Sequence, residues 1–328
     1  MKKDLSAFIK QFAKKKVLVI GDVMLDEYIE GNADRISPEA PVPVLLQKSV
    51  REVLGGAGNV AANAAALGGK VTLMGIVGND ARAKTLARLC GAQGIRAMLF
   101  DDSARPTTAK VRFVAGHHQL ARIDIEETKP IARALEARVV KKIHSLPKHD
   151  MVIVSDYAKG CLTKGIVQAL RARFGEHTII ADMKPVNAEW YKNILAVTPN
   201  LKEAADITGV YADTDALAER VTKLLGSRLK TSVVLTRGAR GVSVRVHGKP
   251  SCEHFRNSIL TVKDVTGAGD TLVAALALMC ASGASFVEAA ELANDAAGIV
   301  VGAAGTIALS RKALVGYLQE TTRAHTEA

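Results

Sequence analysis

Aromatic residues are scarce in this chain of 328: one Trp, five Tyr and seven Phe. Proteins that grip single-stranded nucleic acid stack bases on aromatic side chains, so the scarcity argues against that role despite a net charge of +11. The surplus of Lys and Arg reads as attraction for small anions such as nucleotides and sugar phosphates, or as a solvated surface. Cysteine is also sparse. Cys90, Cys161, Cys252 and Cys280 are widely spaced and form no CxxC pair, which excludes a zinc pattern or a small disulfide scaffold and leaves four buried thiols in a reducing compartment. The longest uninterrupted apolar run, Leu272 to Ala281, falls well short of the ~18 residues of a membrane span. The N-terminus has charge at Lys2, Lys3 and Asp4 but no signal-peptide h-region. The eight histidines include no HExxH, and nothing fits the P-loop pattern GxxxxGK[ST]. We therefore expect a cytoplasmic protein with neither membrane nor nucleic acid as partner, in which phosphate binding rests on something other than a P-loop.

What is present is the composition of a folded chain, 48% hydrophobic and 23% charged with nine prolines. At roughly 150 residues per domain the length gives about two domains, but one large α/β domain fits equally well and needs no staple to hold its core. No linker, low-complexity tract or repeat divides the chain, so a single domain over 1–328 is expected. Leu5, Phe8, Ile9 and Phe12 fall on one face of a short helix. Val17 to Ile20 predicts a buried strand running into a loop at Gly21-Asp22. Periodicity and cap residues predict helices over 57–67, 81–90 (N-capped by Asp80), 132–144, 164–174, 212–225, 267–281 and 286–302. Strands are predicted over 71–74, 111–114, 120–125, 151–154, 178–181, 194–197, 232–236 and 241–246, the last as a hairpin partner. Such alternation indicates a mainly parallel sheet covered by helices on both faces. The segments 28–47 and 107–125 alternate apolar and polar residues and predict a small antiparallel sheet beside the main one.

The segment richest in chemistry is Lys263-Asp-Val-Thr-Gly-Ala-Gly-Asp-Thr271, which opens an apolar helix. Gly267, Ala268 and Gly269 are small enough for a sharp turn whose N–H groups converge at a helix start, an anion site by virtue of free donors and the helix dipole. Asp270 inside this nest is placed to take a proton from a substrate hydroxyl while the nest holds a migrating phosphoryl group. The plainer alternative is an Asp capping the helix after a glycine turn. The segment lacks the third glycine of a dinucleotide fingerprint.

Several segments in order along the chain resemble one family. Asp264-Val-Thr-Gly-Ala-Gly-Asp270 resembles the C-terminal signature of the pfkB, or ribokinase-like, carbohydrate kinases, and Leu54-Gly-Gly-Ala-Gly-Asn59 followed by Ala-rich sequence to Gly68 resembles the N-terminal one. Asn200-Leu-Lys-Glu203 resembles the family's NxxE motif and Thr236-Arg-Gly-Ala-Arg-Gly241 its nucleotide loop. Gly21-Asp-Val-Met-Leu-Asp26, Arg35 to Val44, Gln119 to Asp124 and Ser155-Asp-Tyr-Ala-Lys-Gly160 are similar to the branch that phosphorylates heptose 7-phosphate, in its stand-alone form. The resemblance implies a ribokinase-like α/β fold with a small β lid. It also implies ATP-dependent phosphorylation of the anomeric C1 hydroxyl of D-glycero-β-D-manno-heptose 7-phosphate, giving the 1,7-bisphosphate used for ADP-heptose and lipopolysaccharide cores.

The same resemblance suggests roles. Asp270 is the base, with Gly267, Ala268 and Gly269 around the phosphoryl group. Asp22 and Asp26, beyond the end of the first strand, hold sugar hydroxyls, and Gly55, Gly56 and Asn59 let backbone and amide approach the sugar. Lys110, Arg112, Arg122 and Lys184 are candidates to clamp the 7-phosphate, with solvent-facing residues as the alternative. Asn200 and Glu203, three apart at a helix start, hold Mg2+ through water. Thr236, Gly238 and Gly241 line the ATP phosphates and ribose, Asn294 lies near the adenine, and Asp264 and Thr266 match positions for a monovalent cation such as K+. The lid is expected to pair between two subunits, since an exposed edge strand needs cover. Competing readings are a kinase of this fold acting on fructose 1-phosphate or ribose, a Rossmann oxidoreductase suggested by Val17 to Gly21 but lacking GxGxxG, and a basic nucleic-acid module.

Overall fold

A computed structural model describes residues 5–116, 118–257, 267–302 and 308–326. Helix α1 (Ser6–Ile9) and the turn after it bury Leu5, Ile9 and Phe12, the apolar face expected there, while Phe8 is half-buried. Strand β1 (Lys16–Gly21) follows. The loop expected after it is absent. Asp22 is pinned on both sides, its N–H donating to Ser155 O (3.1 Å) and its C=O accepting from Ala57 N (3.0 Å), and the chain passes directly into β2 (Val23–Ile36). Strand β3 (Pro43–Gly56) returns antiparallel to β2 and ends where α2 (Ala57–Ala66) begins.

Next come β4 (Lys70–Val77), α3 (Ala81–Ala92), β5 (Arg96–Asp101), β6 (Ala109–Ala115) and β7 (His118–Ile125). Asp80 caps α3 as expected, its carboxylate accepting from Ala83 N at 3.0 Å. The second half runs α4 (Arg133–Ser145), β8 (Met151–Ser155), α5 (Lys164–Phe174), β9 (Ile179–Asp182), β10 (Ala196–Val197) and α6 (Leu201–Thr208). It continues with α7 (Asp215–Leu229), β11 (Ser232–Thr236), β12 (Val242–Arg245) and β13 (Glu253–Phe255). The last helices are α8 (Ala268–Ala281), α9 (Phe286–Val301) and α10 (Arg311–Thr326). Helix α7 starts three residues later than its periodicity predicts because Thr214 caps it, accepting from Leu217 N at 3.2 Å.

Nine strands form the main sheet in the order β13-β12-β11-β10-β9-β8-β1-β4-β5, parallel from β11 to β5 and closed at the other edge by an antiparallel β11–β12–β13 meander. Alternation sorts the faces. Val17 and Val19 join one core with α2, α8 and α9, whereas Leu18 and Ile20 join the other with α4, α5 and α7. Helix α8 is buried from Asp270 to Met279 without a polar stripe, the signature of a helix enclosed on all sides.

The small sheet has the order β3-β2-β6-β7: two antiparallel hairpins that meet through a parallel β2–β6 pairing. It is longer than the alternating segments predict, since its strands reach back to Val23 and on to Gly56. Among the described residues no helix is long and apolar enough to cross a membrane. All four cysteines are free, but only Cys90 and Cys161 are buried. Cys252 and Cys280 are partly exposed, which corrects the expectation of four buried thiols.

Candidate active site

The carboxyl edge of a parallel sheet is where α/β proteins place ligands. Here that edge collects Asp22 after β1, Asp156 after β8, Asp182 at the end of β9, Thr198 after β10 and Thr236 at the end of β11. Helix α8 points its start at them. Gly267 has φ +82°, a left-handed conformation that suits glycine, and the first intrahelical bond is Thr271 N to Gly267 O at 3.0 Å. The N–H groups of Ala268, Gly269 and Asp270 therefore point out of the helix end, the anion nest expected from the sequence.

Asp270, 8% exposed, lies in the first turn. Asn59 Nδ2 donates to its Oδ2 (2.5 Å) and the Tyr157 hydroxyl to its Oδ1 (3.2 Å). Desolvation pushes its pKa up to about 6, against the pull of those two hydrogen bonds. A carboxylate acting as base works only when ionised, so kcat/KM should fall as pH drops through about 6 and stay level above it. A pH–rate profile flat down to pH 4.5 would contradict this.

A cavity of about 170 Å³ adjoins Asp270 and is lined by Tyr157, Asp182, Lys184, Asn200, Glu203 and Gly267. Asn200 and Glu203 form a reciprocal cap on α6: Asn200 Oδ1 accepts from Glu203 N (2.9 Å) and Glu203 Oε2 from Asn200 N (3.0 Å). The other Glu203 oxygen accepts from Lys184 Nζ at 2.5 Å. Asp182 is pushed up to about 8 by desolvation and by the charges of Glu203 and Asp270. Beside this cavity runs a larger groove of about 540 Å³ walled by Thr236, Gly238, Gly241, Leu272, Asn294 and Ala297. It brings Thr236, Gly238, Gly241 and Asn294 together, and Asn294 Nδ2 donates to Arg256 O at 3.3 Å.

The small sheet carries a second group of charged candidates. Its paired register puts Asp26, Tyr28, Lys110, Arg112, Arg122 and Asp124 on one face. Arg112 Nη1 donates to Asp26 Oδ1 at 2.7 Å, and its guanidinium lies 5.1 Å from the Tyr28 ring centroid. The Asp26 charge adds to the upward push on the Asp270 pKa.

The other candidates have defined neighbours in the fold. Asp22 is 1% exposed and its Oδ2 accepts from Tyr157 N (2.7 Å) and Lys159 N (3.2 Å), so it anchors a loop. Gly55 and Gly56 leave room for protein: a Cβ on Gly55 would lie 2.6 Å from Asp26 Oδ2, and one on Gly56 2.4 Å from Asp22 O. Asn59 Nδ2 donates to Asp270, which places the amide beside that carboxylate. Lys184 stands in the Asp182–Glu203 cavity, apart from the small sheet that carries the other basic candidates. Arg122 is exposed and turned onto Asp124, at 2.7 and 3.0 Å. Lys110 lies 3.9 Å from the same carboxylate. Asp264 and Thr266 lie outside the described residues.

Two residues of the site were missed. Asp182 closes an apolar strand with a carboxylate, the same signal that singled out Asp22, and Tyr157 lies inside a quoted motif but carries no spacing that points to Asp270.

Residues 14–313 match the model of the pfkB family of carbohydrate kinases. The bifunctional protein HldE of Caulobacter vibrioides is 42% identical over 307 residues, 90% of this chain and 62% of that protein. The D-beta-D-heptose 7-phosphate kinase of Bordetella bronchiseptica is 40% identical over 309 residues, 94% of this chain and 97% of that one. In fold, the chain is similar to phosphofructokinase-2 from Escherichia coli, solved with substrates and products, at a TM-score of 0.75 and 18% identity over 92% of this chain and 97% of that one. A helix start with outward N–H groups and a buried carboxylate in its first turn suit phosphoryl transfer, and the family model and these relatives show that the chain belongs to the pfkB family of carbohydrate kinases.

Proposed function

We propose that this sugar kinase transfers the γ-phosphoryl group of ATP to the anomeric C1 hydroxyl of D-glycero-β-D-manno-heptose 7-phosphate. The observation that carries this reading is the part-buried Asp26–Arg112 pair at 2.7 Å on the small sheet. It offers a hydroxyl acceptor and a planar phosphate donor side by side. Likeness to the Bordetella kinase supports the substrate. Asp270 takes the C1 hydroxyl proton as that oxygen attacks the γ-phosphorus. The bond to the β–γ bridging oxygen breaks and ADP leaves. The α8 N–H groups and Lys184 face the charge that develops on the migrating group. The adenine occupies the groove between Gly238 and Asn294.

Kinases of this family use ATP and a divalent metal. The oxygens of Asp182, Asn200 and Glu203 fit Mg2+, which takes few protein ligands and leaves the rest to water and phosphate. Lys184 on Glu203 shows that this wall already accommodates a positive charge. Bound Mg2+ would offset phosphate charge there. The monovalent site remains a proposal at Asp264 and Thr266.

The reading is of one kinase domain, working in the cytoplasm, with the small sheet as a lid. Ile36, Val42, Leu46, Val50, Leu120 and Ile123 are exposed on that lid and its turn, and we assign their cover to a second copy of the chain. A fully active monomer by sedimentation at micromolar concentration would overturn the dimer. The substrate is tested by coupled ADP release across sugars and sugar phosphates, in which heptose 7-phosphate should give the highest kcat/KM. If fructose 1-phosphate or ribose gives the highest value, the heptose assignment fails and the kinase assignment stands.

A further inference from the structure

The loop after β8, Ser155 to Gly160, is more tightly determined than a connection requires. Tyr157 N and Lys159 N both donate to Asp22 Oδ2, at 2.7 and 3.2 Å. Between them Ala158 holds φ +56°, a left-handed conformation rare for a residue with a Cβ, and its N–H donates to Asp156 Oδ1 at 2.8 Å. The other oxygen of Asp156 accepts from Asn187 Nδ2 (2.9 Å) and the Tyr191 hydroxyl (2.7 Å). Three consecutive backbone N–H groups are thus bound by two buried carboxylates, and a strained residue is kept in place by its surroundings. Such over-determination marks a segment whose shape serves a function.

What the shape achieves is the direction of one side chain. Tyr157 projects from this loop into the Asp270 cavity and its hydroxyl donates to Asp270 Oδ1 at 3.2 Å. Asn59 holds Oδ2. With both oxygens engaged the carboxylate cannot rotate, and each oxygen keeps a free lone pair for a substrate hydroxyl.

We infer that Tyr157 is a positioning residue for Asp270, and that Asp22 is the anchor that aims Tyr157. The inference rests on Asp270 being the base. Tyr157 moves no proton itself. It donates to the ionised carboxylate, fixes its plane and holds down its proton affinity. Asp22 acts one step further out, through the backbone of residues 157–159.

The test uses the full chain. Tyr157→Phe keeps the ring beside Lys184, whose Nζ lies 5.4 Å from the ring centroid, and removes only the hydroxyl. The expected result is a kcat lower by roughly tenfold, the size expected for a hydrogen bond to a charged group. ATP KM should be unchanged, and the acid limb of the pH–kcat/KM profile should move to higher pH. That limb would not move if the tyrosine only filled space. Asp22→Ala should reproduce both changes, and the double variant should be no slower than the slower single variant, since both act through one contact. Asp22→Asn keeps an acceptor for the two N–H groups and should restore most of the rate, which leaves the inference testable if Asp22→Ala fails to fold. Wild-type kcat and an unmoved limb in Tyr157→Phe would overturn the inference, as would an Asp22→Ala variant that raises the sugar KM and adds to Tyr157→Phe. Asp270→Asn separates the two levels: if it still turns over, the base reading and this inference fall together. If it is inert while Tyr157→Phe is normal, only the positioning role is lost.

Discussion

Asp270→Asn is expected to lower kcat by ~10²–10⁴-fold, the usual loss when a general base is removed, while ATP still binds. The substitution is nearly isosteric, and the nest does not depend on the carboxylate: Gly267 sets the turn and the backbone N–H groups of α8 remain. An amide cannot take the C1 proton. It also faces two donors, since Asn59 Nδ2 and the Tyr157 hydroxyl both point at this position and the amide nitrogen can accept from neither. The variant therefore loses a proton acceptor and gains a local mismatch, but it no longer carries a desolvated charge, so its melting temperature should not fall in step with its activity. The measurement pairs kcat with ATP affinity by calorimetry. Turnover within threefold of wild type would remove Asp270 from the role of base.

Removing the 7-phosphate from the substrate is expected to cost roughly 2–5 kcal/mol in transition-state binding, or ~30- to 4,000-fold in kcat/KM. A group remote from the reacting oxygen can contribute in this way because its binding energy is used to orient the sugar, so kcat should fall together with affinity. Arg112 is the residue that ties this loss to the protein. Its side chain is 13% exposed and Asp26 partners it already. The cation left behind by a phosphate-free sugar is thus not stranded, which draws the expected loss toward the lower end of the range. Arg112→Met should bring the two substrates close together, mainly by lowering turnover of the phosphorylated one. If unphosphorylated heptose matches heptose 7-phosphate in the unaltered enzyme, the phosphate is not a handle.

The sheet and its flanking helices were legible because the apolar alternation is strong where both faces are buried. Val17 to Ile20 and Met151 to Val154 leave little choice of structure. Strands β5 and β13 and helix α10 were not foreseen, and of helix α6 only the start was. Strand β5 is a half-buried edge strand, Arg96-Ala-Met-Leu-Phe-Asp101, without β-branched residues. Helix α6 is only eight residues long and owes its start to a cap. In the site, a glycine turn announced the nest and a family motif announced Asn200–Glu203, both local features, whereas the reciprocal cap on α6 appears only in the fold. What Asp22, Gly55 and Lys184 touch was not legible, for the opposite reason. What Asp22 binds is 135 residues away, and the space beside Gly55 is filled by a neighbouring strand's carboxylate. Local sequence says that a carboxylate or a glycine matters, but its partner is set by the tertiary fold.

The direct passage from β1 into β2 through Asp22 has a consequence for anyone building chimaeras in this family. Through its N–H, its carbonyl and its carboxylate, Asp22 touches β8, the start of α2 and the Tyr157 loop, and it is also the residue where the β lid takes off from the main sheet. A recipient given a foreign lid cut at this junction would inherit a foreign setting for its own catalytic centre. Seams that spare this junction lie further out, past Asp26 on one strand and before Val53 on the other, where the two residues face each other across the hairpin, although the exchanged piece then carries the Glu27 and Glu52 ion pairs to Arg82 and Arg88 of α3.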